Sequence, residues 1–123
     1  MSNEFLDYVE DMLDAIDKAE LLVLDVTYDQ FADDFRINFA VVRTLEIIGE
    51  AARRLPQHLR DDYPLIPWKS MIGMRDRVIH GYDIVDLEIV WDTVKRDLPG
   101  IRPQLQQILV AYGEAQDSDE QLG

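Results

Sequence analysis

The stretch Ser70-Met71-Ile72-Gly73-Met74-Arg75-Asp76-Arg77-Val78-Ile79-His80-Gly81-Tyr82 is the one around which the chain is read. It holds one of only two histidines, five residues after an arginine and two before a tyrosine. Met71, Arg75, Val78 and Tyr82 recur at steps of four, three and four, so a helix here places them on one face. On that helix His80 lies about 140° round from Arg75, at 3.6 residues per turn. One helix therefore cannot aim both groups squarely at a single atom. A long arginine can bend across, Gly81 can unwind the end, or a second copy of the chain can bring its own histidine.

Outward from this segment the sequence is punctuated as a set of helices. Pro67 fits the first turn of the central helix, with Trp68 as an anchor, and Gly81 is a natural stop. Upstream, Pro64-Leu65-Ile66-Pro67 must be extended around its prolines, after a short turn or helix from His58 to Tyr63. Before Pro56, a long helix is expected from about Asp34 to Leu55, with Ile37, Val41, Leu45, Ile48, Ala52 and Leu55 as its core stripe. Gly49 inside it costs roughly 1 kcal/mol against alanine, which points to a close helix contact. A second face of this helix carries Arg43, Glu46, Glu50, Arg53 and Arg54. It reads either as a salt-bridged solvent face or as a charged wall beside Arg75.

At the N-terminal end, Ser2 or Asn3 can cap a first helix whose stripe is Phe5, Val9, Met12, Ile16, Ala19 and Val23. Val26-Thr27-Tyr28-Asp29 reads as a turn, with a short helical piece from Asp29 through Phe31. Downstream, Asp83 or Asp86 can cap a helix with the stripe Leu87, Val90, Trp91, Val94 and Leu98, closed by Pro99-Gly100. A last helix carries Leu105, Ile108, Leu109 and Tyr112, with Pro103 obscuring its start. Strands and repeats are not expected. The fold class is all-α: an antiparallel bundle of about four long helices plus short helical pieces, in one domain over residues 1–113. Residues 114–123 form a polar, acidic tail expected to be disordered.

Composition narrows the function classes. The 123 residues suit one domain, and the absence of cysteine excludes disulfides and thiolate metal sites. Acidic residues interrupt every apolar run near the N-terminus, and nothing approaches the uncharged run of about 18 residues expected of a membrane span. A cytoplasmic protein without membrane association is expected. The net charge of −13 argues against non-specific nucleic-acid binding, which depends on neutralising phosphates. The charge is uneven, however. Residues 1–35 carry one base against eleven acids and residues 81–123 three against nine, whereas residues 36–80 carry eight bases against five acids. The middle third is a basic island.

Neither His-x-x-x-His nor His-Glu-x-x-His is present, no glycine-rich phosphate loop occurs, and the few serines lack a nucleophile-elbow setting. No metal or other cofactor is expected. What remains is Arg75 and His80 beside Tyr82. A histidine with a pKa near 6.5 acts as base or acid around neutrality, and arginine offers phosphate a planar fork of donors. Together they suit metal-free phosphodiester transesterification. The histidine takes the proton of an RNA 2′-hydroxyl while the arginine stabilises charge building on phosphorus. The leaving group then needs a second acid, which a symmetric dimer supplies with its second His80. The competing reading is an arginine and a histidine that hold a helix end by hydrogen bonds.

The order of these segments resembles one family. Arg75-Asp76-Arg77-Val78-Ile79-His80-Gly81-Tyr82 is similar to the Arg-x4-His-x-Tyr signature of the HEPN superfamily, in its HepT branch. The flanks Arg43 to Pro56, Ile66-Pro67-Trp68, Ile72-Gly73-Met74, Asp86 to Trp91 and Asp97-Leu98-Pro99 resemble that branch too, so the similarity spans about residues 5–112. The resemblance implies a homodimer with both motifs lining one cleft, acting as a metal-independent RNase toxin. Arg75 and His80 carry over as catalytic, with Asp76 as a supporting polar residue. The implied partner is a minimal nucleotidyltransferase antitoxin of the MNT type, which attaches AMP to the motif tyrosine, here Tyr82, in a complex that can be a larger hetero-oligomer. Two other classes stay open: a non-catalytic nucleotide- or substrate-binding subunit of such a nucleotidyltransferase, and a purely structural helical interaction domain.

Overall fold

The computed structural model describes residues 5–122 except 75, 77, 78 and 81–83; for 79, 80, 84 and 114–122 it describes the backbone alone. The first helix, α1 (Phe5–Leu22), buries Val9, Met12, Ile16 and Ala19, the stripe its spacing announces, and Val23 follows into the core just beyond it. The chain turns where Asp25 adopts φ 59°, a left-handed conformation that aspartate tolerates better than most residues. Thr27 then starts α2 (Tyr28–Asp33). Its hydroxyl accepts from the Gln30 backbone N–H, and the Gln30 side chain accepts from the Thr27 N–H. The segment expected to be a turn is thus a reciprocal capping box that opens a helix one residue before Asp29.

Asp34 ends α2 and caps α3 (Phe35–Arg54), accepting from the Arg36 backbone N–H. Val41, Leu45, Ile48, Ala52 and Leu55 are buried as their spacing demands, and Ile37 is partly so. Helix α3 is the hub of the fold, packing against α1, α2, α5 (Trp68–Ile72) and α6 (Leu87–Asp92). Between α3 and α5 lies α4 (Gln57–Asp62), which plants Leu59 in the core.

The expected central helix does not run to Gly81. Helical backbone is present at Trp68–Ile72 and again at Met74 and Asp76, but Ile79–His80 is extended. These two residues form β1, antiparallel to β2 (Ile84–Val85), with Ile79 opposite Val85 and His80 opposite Ile84. Val78-Ile79 and Ile84-Val85 are β-branched, and stiff side chains of this kind favour the extended state. Two short strands therefore stand where none were expected. Of the helix face expected to be shared by Met71, Arg75, Val78 and Tyr82, Met71 is buried and the other three lie outside the described residues.

Asp86 caps α6, accepting from the Ile89 N–H. Pro99-Gly100 does not close the helix that follows. From α6 the backbone passes through a π-helical turn, Thr93–Asp97, straight into α7 (Leu98–Leu122). A proline cannot donate to the carbonyl four residues back and its ring collides with it. The wider π turn, in which the Leu98 N–H reaches back five residues to the Thr93 carbonyl, carries the chain to Pro99 with looser spacing. Helical backbone continues to Leu122, across most of the acidic segment 114–123. Arg102 on α7 pairs with Asp17 and, at 2.9 Å, with Glu20 on α1. No described helix is long and apolar enough to cross a membrane.

Candidate active site

The approach to Arg75 is clamped on two sides. Trp68 is buried and its Nε1–H donates to the Tyr63 carbonyl at 3.0 Å, fixing the start of α5. One turn on, the backbone of Met71 meets Gly49 so closely that a Cβ at Gly49 would stand 2.7 Å from the Met71 carbonyl oxygen. The contact anticipated from an unfavourable glycine in a long helix is therefore present, and its partner is the motif-bearing segment. Met74, the residue before Arg75, is buried against the π turn, where the Thr93 hydroxyl lies 3.9 Å from its sulfur. Among the described residues, α3 and the π turn together hold the backbone that leads into the motif.

The predicted site residues are placed as follows. Arg75 and Tyr82 lie outside the described residues, as does the side chain of His80. The His80 backbone sits in β1, paired with Ile84, and β2 leads within two residues into the capped start of α6. Asp76 is helical and exposed. His58, the other histidine, is exposed on α4. Helix α6 is itself pinned by an aromatic cluster: the Trp91 ring lies 5.8 Å from Tyr28 and 5.2 Å from Phe31, and Lys95 sits 5.0 Å over Trp91. The helix so anchored begins two residues after β2, the strand opposite His80.

The charged face of α3 reaches the same neighbourhood. A niche of about 90 Å³ is lined by Glu46, Glu50 and Arg53 together with Leu45, Gly49 and Ile72, the last residue of α5 and three before Arg75. Arg43 and Glu46 make a loose exposed pair at 3.7 Å, and Arg54 instead lies 5.8 Å over the Tyr8 ring. The reading of this face as a wall beside Arg75 turns on a residue outside the described ones. Part of it is intrahelical pairing and part borders the motif segment. Arg36 is likewise engaged, with Asp34 at 3.1 Å, so the basic island is not one bare patch. The hydrogen bond from Arg36 holds the Asp34 carboxyl below the usual range. No group of three or more metal-binding side chains occurs among the described residues.

One feature of this region escaped the sequence reading. Phe35 and Phe39 project into solvent, 67% and 70% exposed, with their rings 5.9 Å apart. They border a groove of about 510 Å³ with Val42, Glu46, Val85 and Leu87. The signal was available: two phenylalanines four apart, off the Ile37–Val41–Leu45 stripe, must share an outward face.

Residues 12–108 match the family described as Ribonuclease HepT-like. The chain is 38% identical over 108 residues to "Probable ribonuclease HepT" of Thermococcus cleftensis, covering 88% of this chain and 98% of that one. It is 38% identical over 102 residues to a protein of Methanocaldococcus jannaschii named "Putative RNase", covering 83% of this chain and 88% of that one. A protein of Caldanaerobacter subterraneus with the same descriptive name is 36% identical over 102 residues, covering 83% of this chain and 91% of that one. No solved structure gives a significant match. A family match over most of the chain, with relatives aligned almost end to end, makes this protein a member of the HepT-like family of the HEPN superfamily.

Proposed function

We propose that this protein is a metal-independent endoribonuclease and the toxin of a toxin–antitoxin pair, working in the cytoplasm as a homodimer. The observation that carries the reading is the Arg75-x4-His80-x-Tyr82 motif in a chain of the HepT-like family, several of whose members carry RNase in their names. His80 of one protomer takes the proton of an RNA 2′-hydroxyl, and the freed oxygen attacks the adjacent phosphorus. Arg75 holds the phosphate oxygens and offsets the charge that develops on them, with Asp76 nearby to orient the site. The bond to the 5′-oxygen breaks, and the second protomer's His80, protonated, returns a proton to that leaving oxygen. The products are a 2′,3′-cyclic phosphate and a free 5′-hydroxyl. One motif per chain supplies one histidine, so acid and base together require two chains.

The partner in this reading is an MNT-type nucleotidyltransferase that silences the enzyme by transferring AMP from ATP to the Tyr82 hydroxyl, with release of pyrophosphate. The added phosphate then competes for Arg75 while the adenosine blocks substrate, with no change of fold. The decisive experiment is purified protein with RNA in EDTA, wild type beside His80→Ala. Cleavage by the wild type alone supports the proposal, provided the variant stays folded. An inert wild type places the chain instead as a non-catalytic nucleotide- or substrate-binding subunit of the nucleotidyltransferase. Tyr82→Phe is expected to keep cleaving and to escape modification, read by mass spectrometry after incubation with the cognate nucleotidyltransferase, ATP and Mg²⁺. Silencing of an unmodified wild type would show inhibition by binding alone.

A further inference from the structure

We infer that the niche between α1 and α3 formed by Tyr8, Asp11, Glu50 and Arg54 is a nucleobase subsite that selects guanine in the RNA strand beside the cleaved bond. The inference rests on the ribonuclease reading above and names the residues that give it base specificity. The niche holds about 180 Å³ over an apolar floor of Ile47 and Ala51. The Arg54 guanidinium lies 5.8 Å over the half-buried Tyr8 ring, which keeps it against α1 instead of leaving it to sweep through solvent. Unpaired bases are held by such groups, stacking on aromatic rings or guanidinium planes while their edges form hydrogen bonds. Glu50 also lines the neighbouring niche with Arg53 and Ile72, so the two niches form one track along α3 towards the segment that carries Arg75.

Charge and donor pattern select the occupant. Asp14, Asp17 and Glu20 on α1 are taken up by Lys18 and Arg102. Asp11 and Glu50 are exposed, and among the described residues neither has an ion-pair partner of this kind. Two carboxylates in so small a niche repel a phosphate and admit an uncharged group. An ionised carboxylate only accepts hydrogen bonds, and its two oxygens match two donors set side by side. On its Watson–Crick edge guanine alone offers that pair, N1–H beside the N2 amino group. Adenine and cytosine each set one amino donor next to a ring-nitrogen acceptor, and uracil sets one N–H between two carbonyl oxygens, so a carboxylate meets an acceptor on all three. Glu50, the longer of the two and the one shared with the motif-side niche, is the reading residue. Exposed Arg53 in that adjoining niche suits the phosphate that links this base to the next nucleotide.

The test uses the full-length protein and two readouts. Fluorescence anisotropy with 2′-O-methyl oligouridine strands, which lack the attacking hydroxyl, reads binding without cleavage; the strands carry one guanine, one adenine or neither. Sequencing of the ends left on a random-sequence RNA in EDTA reads the bases around the cut. The wild type is expected to bind the guanine strand about tenfold more tightly than the other two and to cut with guanine enriched at one fixed position. Glu50→Gln exchanges one acceptor for a donor, the pattern that adenine's amino group and N1 complete, so the preference is expected to pass from guanine to adenine. Tyr8→Leu is expected to weaken guanine-strand binding about tenfold through loss of the stacking platform; should it fail to fold, Glu50→Gln, at an exposed position, decides. Equal or absent binding of the three strands by the wild type, or an unchanged guanine preference in Glu50→Gln, would overturn the subsite. Guanine-selective binding without cleavage by the wild type would support the subsite and overturn the ribonuclease reading, whereas cleavage with no base preference at any position would overturn the subsite alone.

Discussion

Replacing Gly49 by alanine sets two opposed effects against each other. Alanine in a helix interior is favoured over glycine by about 1 kcal/mol. Here, however, the new Cβ would stand 2.7 Å from the Met71 carbonyl oxygen, where ordinary van der Waals contact begins at 3.4 Å. The obstacle is backbone, and its helix is held by buried Trp68 and Met71, so it cannot swing aside as a side-chain tip would. Overpacking of this kind costs about 1–3 kcal/mol, and rigid surroundings put it at the upper end. The net expectation is a loss of about 2 kcal/mol, which in a domain of this size lowers Tm by roughly 6–10 °C. Gly100→Ala is the control: nothing lies within 4 Å of its Cβ position, so the same substitution is expected to stabilise by up to about 1 kcal/mol. Thermal and urea denaturation of the three proteins would read both signs. Because α5 leads into Arg75, RNA cleavage by folded Gly49→Ala is also expected to fall. A Gly49→Ala protein that melts at or above the wild type would refute the close approach.

Asn38→Ala is expected to lose about 1–3 kcal/mol in urea unfolding, because the buried amide donates to the Phe31 and Ala32 carbonyls at 3.0 and 3.3 Å and leaves them unpaired when removed. Asp34 gives a pH signature. Its folded pKa is depressed, first by the Arg36 side-chain hydrogen bond, so its contribution is present above the unfolded value near 3.9 and fades as pH falls through the lower folded value. Asp34→Asn keeps a capping oxygen but cannot ionise, so its deficit against the wild type is expected to shrink below about pH 4, and a deficit constant from pH 7 to 3 would refute this. Arg75→Lys is expected to cleave RNA about a hundredfold more slowly or worse, since a point charge cannot reproduce a planar two-donor contact with phosphate; full activity would remove Arg75 from the mechanism.

The sequence by itself determined the two long helices α1 and α3, their buried faces and the family, but not the expected count of four long helices. The stripes on α1 and α3 were legible because a residue repeating every three or four positions has one face to bury, whatever it packs against. Gly49 was legible as a close contact because an unfavourable helix residue needs a reason to be there. Asp86 was legible as one of two possible caps, by its place before an apolar stripe. Local rules misled where the answer depended on distant partners. Ile79 and His80 are extended and paired with Val85 and Ile84, a contact that helical periodicity cannot register. Pro99-Gly100 fails to stop a helix because a π turn precedes it and the core takes Leu98 and Ile101 on either side. Only the tertiary structure identified Met71 as the partner of Gly49, set Phe35 and Phe39 on the wall of a groove beside the motif strand, and gave Arg54 to Tyr8. Periodicity fixes which face of a helix is buried; which neighbour meets it, and what is left exposed when all the faces are matched, is decided only by the packing of the whole chain.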